Sequence, residues 1–213
     1  MVRISVACIA CCLAGCMTTD AVYPVTWAGR VKLESEQCPN IDGEYGNLGD
    51  LSKESDIGTY TVEPASISLA HILAGRAENQ ERLNFTRGDA TTDEHRSIHL
   101  SVADDTLQVI AKRTDGTVRT FQMPVERKCS ASMIDAGAAW NGSTTLLASE
   151  VDRSSMKLGR AEDGALLMRT NQSIGFFVTY IPVFGMKDQR WIRFPVFTPG
   201  QDSPESVAQA AEL

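Results

Sequence analysis

The sequence predicts a mainly β fold: a single antiparallel meander domain, built as a sandwich or a partly open barrel, with one short helix. Three observations predict it. Residues 97–102 and 106–113 alternate with period two, placing Ile98, Leu100 and Val102 on one face and then Leu107, Val109 and Ala111, the spacing of half-buried strands. Asp115-Gly116 and Asp163-Gly164 each separate two such runs, as hairpin dipeptides do. Only residues 66–74 carry a convincing helical face, from Ile67, Leu69, Ala70, Ile72 and Leu73, over about two turns.

Taken in order, the body opens at Cys38. Pro39 disfavours a helix, and Asp42-Gly43 allows a turn. Residues 46–60, rich in Gly, Ser and Asp, read as a loop. Pro64 and Ser66 prepare the helix start and Gly75 its stop; the helix is expected to cover one face or end of a sheet. Residues 79–96 are polar, with one strand expected at 83–86. After the strands at 97–102 and 106–113, residues 117–123 return through Val118 and Phe121. Pro124 interrupts them, and 125–129 continue extended.

The small residues of 130–143 read as a loop. Strands are expected at 144–151, 155–160 and 165–170. Asn171-Gln172-Ser173 reads as a turn, 174–184 as a strand, 185–189 as another turn and 190–197 as the last strand. Pro195 marks an edge or bulge. Residues 201–213 read as a mobile tail. The aromatic residues Phe176, Phe177, Tyr180, Phe184, Trp191, Phe194 and Phe197 are the densest such group. They are expected to close the core; the sharper reading is an exposed face for a partner or ligand.

The first fifteen residues have the parts of a secretory signal. Arg3 gives a positive start, residues 4–13 are apolar apart from Ser5, and Ala14 and Gly15 are small. The run is too short to cross a bilayer core, which takes roughly 20 apolar residues. Leu13-Ala14-Gly15-Cys16 resembles the lipobox of bacterial lipoproteins. The resemblance implies a diacylglyceryl thioether on Cys16, cleavage after Gly15 and acylation of the new amine. Two or more chains give stable anchoring, at about 0.8 kcal/mol per buried CH₂. In enterobacterial lipoproteins an Asp after the cysteine retains the protein in the inner membrane. Met17 stands there instead, which by resemblance implies the outer membrane of a Gram-negative host.

The expected organisation is therefore a signal peptide at 1–15, a lipidated Cys16 with a tether at 16–37, a β-rich domain at 38–199 and a flexible tail at 200–213. Trp27 in the tether sits at a lipid interface or packs on the domain, the second being the plainer expectation. Processing removes Cys8, Cys11 and Cys12, and lipidation takes Cys16. Cys38 and Cys129 remain, and in an oxidising compartment they are expected to pair. The opening Cys38-Pro39-x-Ile41-x-Gly43-x-Tyr45 and the closing Trp191-Ile192-Arg193-Phe194 resemble uncharacterised bacterial envelope lipoproteins, which carry no assigned activity. Gly43-x-Tyr45 is also similar to the Gly-x-Trp that opens lipocalin barrels.

The formal net charge is -7, and no basic run or zinc-finger spacing occurs, so nucleic acid is not an expected partner. Ser154-x-x-Lys157 matches the Ser-x-x-Lys of penicillin-recognising enzymes, whose serine and lysine share a helical face; on a strand the two point to opposite faces. His95 and His99 lie about 13 Å apart along a strand, too far to share a zinc ion without a bend, and read as surface histidines. His71 falls in the helix. Asp104-Asp105 reads as a solvated turn. No catalytic residue, cofactor or metal ligand is assigned. The leading expectation is a lipid-anchored envelope protein acting as a non-enzymatic interaction or structural module, with the membrane and an envelope protein as partners. A lipocalin-like carrier of a small apolar ligand is the alternative, and a periplasmic hydrolase stands behind both.

Overall fold

The computed structural model describes residues 15–19, 23–33, 37–51, 67–77, 95–144, 148–178 and 181–199. In chain order its strands are β1 (Gly15–Thr19), β2 (Gly43–Gly46), β3 (Leu48–Leu51), β4 (Ile67–Ser68), β5 (His95–Ala103), β6 (Thr106–Arg113), β7 (Val118–Pro124), β8 (Glu126–Ser130), β9 (Met133–Thr144), β10 (Ala148–Arg160), β11 (Leu166–Val178) and β12 (Ile181–Phe194). Helix α1 (Leu69–Ala77) lies between β4 and β5. The smaller sheet has the order β2-β5-β6-β7; the larger runs β4-β3-β12-β11-β10-β9-β8, with β1 beside β12. The β1–β12 pair is parallel, and the other strand pairs are antiparallel. The fold is thus mainly β with one short helix, as the alternation predicts. Among the described residues neither sheet closes into a barrel.

The core lies between the sheets. The small sheet contributes Tyr45, Ile98, Leu100, Leu107, Val109 and Ala111, all buried. The large sheet answers with Ile134, Met156, Leu158, Leu166, Met168, Ile192 and Phe194, and α1 adds Leu69, Ala70, Ile72 and Leu73. Full burial of one such aliphatic or aromatic side chain contributes about 1.5–3 kcal/mol. Tyr45, of the Gly-x-Tyr pattern, is 1% exposed, and its hydroxyl donates to the Ile41 carbonyl at 2.8 Å. Burial raises its pKa, with nearby Arg160 acting against that shift and Asp42 adding to it.

The helix begins later than Ser66. Residues 67 and 68 pair with Gly49 and Leu48 as β4, so Ser68 caps the helix, its Oγ accepting from the His71 N–H at 3.1 Å. Asn47 covers two more of the free donors: its carbonyl accepts from Leu69 N at 2.8 Å and its Oδ1 from Ala70 N at 2.8 Å. Gly75 lies inside the helix, not after it. In the last turn, the Arg76 guanidinium donates to the carbonyls of Gly137 at 3.1 Å and Ser154 at 3.2 Å, tying the helix to β9 and β10.

The expected segmentation of the C-terminal half is corrected. Residues 133–143, expected within a loop, form most of β9, whose Gly137 carbonyl accepts from Arg76. One extra residue on β9 between Asp135 and Ala138 bulges opposite Met156, with Gly137 at φ 92°. The expected turn Asn171-Gln172-Ser173 lies inside β11, paired with Ser155, Ser154 and Arg153 on one side and Gln189, Asp188 and Lys187 on the other. Residues 185–189 are likewise inside β12, and residues 46–51 hold parts of β2 and β3 within what reads as loop. The strand expected at 83–86 and the tail at 200–213 lie outside the described residues.

The chain passes between the sheets several times, from β2 to β3 at Asn47 among them. At Pro124-Val125 the chain leaves β7 for β8, with Val125 N donating to the Asp105 carbonyl at 2.9 Å. At Pro195 it leaves β12 and lies along β2: Gly46 N donates to Pro195 O at 2.8 Å and Phe197 N to Glu44 O at 2.9 Å. Glu44 itself accepts from Ser97 Oγ at 2.7 Å and Lys112 Nζ at 3.0 Å. The Ser97 hydroxyl first, and then Lys112, hold its carboxyl below the usual glutamate range.

Two predictions follow from this packing. A Cβ at Gly49 would collide with the Phe194 ring and meet Ile192 Cγ2 at 2.9 Å, so Gly49→Ala should destabilise by about 1–3 kcal/mol, read from the urea midpoint. The depressed Glu44 carboxyl stabilises the fold above the ordinary glutamate range, and this contribution is lost as pH falls through the lowered native value. Glu44→Gln should be less stable at pH 7 by about 1 kcal/mol or less, since the pair is half exposed, and its gap from the parent should close in acid; a constant gap across pH would refute the assignment.

Candidate functional site

The large sheet has a second apolar face. The alternation that sends Leu166, Met168 and Ile192 into the core sends Leu167 and Trp191 outward, where Met133, Ala161 and Ala165 join them. All five are buried, Leu167 fully and Trp191 to 3% exposure, because residues 23–33 lie over them. Tyr23 and Trp27 pack on both groups, and Ala28 on the second. Tyr23 stands edge-on to Trp191 at 5.1 Å between ring centroids and edge-on to Trp27 at 5.8 Å. The Arg30 guanidinium lies 5.4 Å from the Tyr23 ring and 5.3 Å from the Trp191 ring, and that of Arg169 lies 5.5 Å from Trp191. Cation–π contacts are worth about 0.5–1 kcal/mol at exposed sites and about 2 kcal/mol when desolvated.

Backbone bonds fix the strap in place. Val31 N donates to Arg160 O at 3.0 Å, Glu162 N to Gly29 O at 2.8 Å, and Leu33 N to Ser132 Oγ at 3.2 Å. The Tyr23 hydroxyl donates to the Ala28 carbonyl, and its burial raises its pKa despite Arg30. Near the strap, Arg193 pairs with Asp163. Burial acts most strongly on Asp163 and pushes its pKa up, but the Arg193 bond and the Ala165 N–H together outweigh it and leave the carboxyl below its usual range. Within the stretch 16–37, expected as a tether, residues 16–19 belong to strand β1 and residues 23–33 form a docked strap. Trp27 packs on the domain. Sequence reasoning missed Tyr23, Arg30 and Arg169; the available signal was two aromatic residues four apart in a stretch assigned to solvent.

Cys16 lies in β1, opposite Gly185 of β12. Because the pair is parallel, the chain runs from Cys16, near the outer end of the ribbon formed by β9–β12, toward the body. Cys38 and Cys129 form the expected disulfide, with Cα atoms 5.3 Å apart across 91 residues. It joins the approach to β2 with β8, the last strand of the large sheet.

The remaining candidates stay apart. Ser154 and Lys157 sit on opposite faces of β10: Ser154 is 2% exposed, whereas Lys157 Nζ donates to Ser130 Oγ. His95 and His99 lie on β5 opposite Arg113 and Ile110. His71 is exposed on α1, and Asp104-Asp105 form an exposed turn between β5 and β6. The aromatic group divides: Phe194 is in the core, Trp191 under the strap, Phe197 beneath Arg96, and Phe176 is 39% exposed. Among the described residues no helix is long and apolar enough to cross a membrane, and no three His, Cys, Asp or Glu side chains are grouped to hold a metal. No family model matches the chain, and neither a curated protein nor a solved structure does.

The disulfide closes a long loop, so Cys38→Ala/Cys129→Ala should lower stability by about 4–5 kcal/mol in the chain-entropy account. Urea unfolding of the parent with and without reductant should reproduce the same difference; equal midpoints would show that the bridge contributes nothing.

Proposed function

We propose that this chain is a lipoprotein of the bacterial outer membrane, held by acyl chains on Cys16, with its body on the periplasmic side serving as a non-enzymatic interaction or structural module. The lipobox-like Leu13-Ala14-Gly15-Cys16 behind an Arg3-led apolar run carries the reading. The Cys38–Cys129 bridge supports it, because structural disulfides belong to oxidising compartments such as the periplasm. The same two cysteines are the ones that processing and lipidation would leave.

A structural or interaction role draws support from the distribution of polar chemistry. The one serine–lysine pair at a catalytic spacing is divided by the plane of the sheet. The Gly43-x-Tyr45 pattern, the basis of the carrier alternative, places its tyrosine in a filled core and not at the mouth of a closed barrel. The body offers instead a rigid, disulfide-linked pair of sheets with a ribbon extending from one of them.

Metabolic labelling with an alkyne fatty acid in a Gram-negative host tests the anchor. The parent should incorporate the label and fractionate with outer membranes, and Cys16→Ser should lose both properties. Label retained by the serine variant would overturn the reading.

A further inference from the structure

Along the ribbon of β9–β12 the residues change character in bands. Rows through Met156, Leu158, Leu166, Met168 and Ile192 belong to the core. Next come polar rows: Ser154 opposite Gln172, itself opposite Asp188, and then Arg153, Ser173 and Lys187. Beyond them β11 and β12 revert to apolar residues, while the same rows stay largely polar on β10, with Asp152 and Glu150, and on β9, with Asn141 and Ser143. Ile174 lies opposite Met186, Gly175 opposite Gly185, and Phe176 opposite Phe184, with Val178 last on β11. Phe176, Val178 and Met186 are 39%, 46% and 37% exposed. This apolar zone lies outside the core cluster and beyond the strap.

The register of β1 places Cys16 in that zone, in the row of Gly185 and Gly175, with Met17 in the row of Met186 and Ile174. We propose that the outer end of the ribbon, carrying Phe176, Val178 and Met186, rests in the phospholipid leaflet that holds the acyl chains of Cys16. This rests on the lipoprotein reading above. The occupant follows from covalent geometry: acyl chains attached at Cys16 enter their leaflet within one or two rows of these side chains. A strand rises about 3.4 Å per residue, so Phe176 and Val178 lie within about 10 Å of the row that bears the lipid. Arg153 and Lys187 stand one row beyond Met186, on the body side, at the height of lipid phosphates. Glu150, opposite Phe176, limits the depth to the boundary between headgroups and acyl chains, where interfacial segments bury about 5–10 Å.

Photocrosslinking in cells tests this. A benzophenone amino acid is placed at position 176 or 178 of the full chain, and at Val118, a residue of the small sheet that is 58% exposed, as reference. Cells are fed radioactive phosphate and an alkyne fatty acid, and purified protein is read for both. The expected result is fatty-acid label on all three variants, with phospholipid adducts at 176 and 178 and background at 118. Fatty-acid label without phospholipid adducts at 176 and 178 would overturn the membrane contact and leave the anchor standing. Crosslinks there to a protein, including a second copy of this chain, would overturn it in favour of a docking surface. Loss of fatty-acid label would overturn the anchor and this proposal with it.

Discussion

A sheet that is apolar on both faces has to be covered twice, and the rest of this fold is arranged around that requirement. The inner face of the large sheet meets the small sheet and α1. The outer face meets residues 23–33, whose aromatic side chains remove Leu167, Met133 and Trp191 from water. Exposing even one of these would cost about 1.5–3 kcal/mol, so the strap belongs to the fold energetically. Its cations serve the same end. Arg30 and Arg169, both partly buried, lie over the Trp191 ring, and Arg169 is further held by Gln189 at 2.6 Å.

The small sheet was legible because it is the ordinary case. One face is buried and one solvated, so β6 alternates cleanly and β5 does so beyond its register shift at His95–Ser97, and Asp115-Gly116 makes the turn with Gly116 at φ 84°. The same logic failed in the large sheet. Its strands run to 14 residues, longer than the core is wide, so each passes from apolar to polar surroundings without ending. Asn171-Gln172-Ser173 has the composition of a turn, but paired on both sides it has no freedom to be one. The reversal between β11 and β12 falls instead between Val178 and Ile181, within a run that reads as continuous strand.

Residues chosen by chemistry fared better than segments chosen by composition. The pairing of Cys38 with Cys129 was legible from the expectation that the other cysteines belong to a signal segment and its lipid attachment. The separation of Ser154 from Lys157 followed from strand periodicity alone. Tyr23 and Arg30 were not legible, because their reason for being there is a second buried face elsewhere in the chain. Ser68 in place of Ser66 as the helix cap has the same origin: two residues of pairing with β3 delay the helix, and local propensity carries no trace of that partner.

The parallel placement of β1 links these features. Left alone, the outer half of β12 would present an open strand edge, and β3 pairs only with its inner part, at Ile192 and Arg193. β1 pairs with residues 184–188 and so blunts that edge, which would otherwise invite another strand. The direction has a mechanical consequence. Under the proposed lipid anchor at Cys16, a pull would run along the axis of β1, across a ladder whose hydrogen bonds span the two strands. The bonds are then loaded together, in shear, and not opened one at a time. Behind them the strap carries the load into the outer face through Trp27, Tyr23 and the Val31–Arg160 bond. An N-terminal segment that covers a sheet face and closes a strand edge is best laid down along the body, and over its described residues this one is.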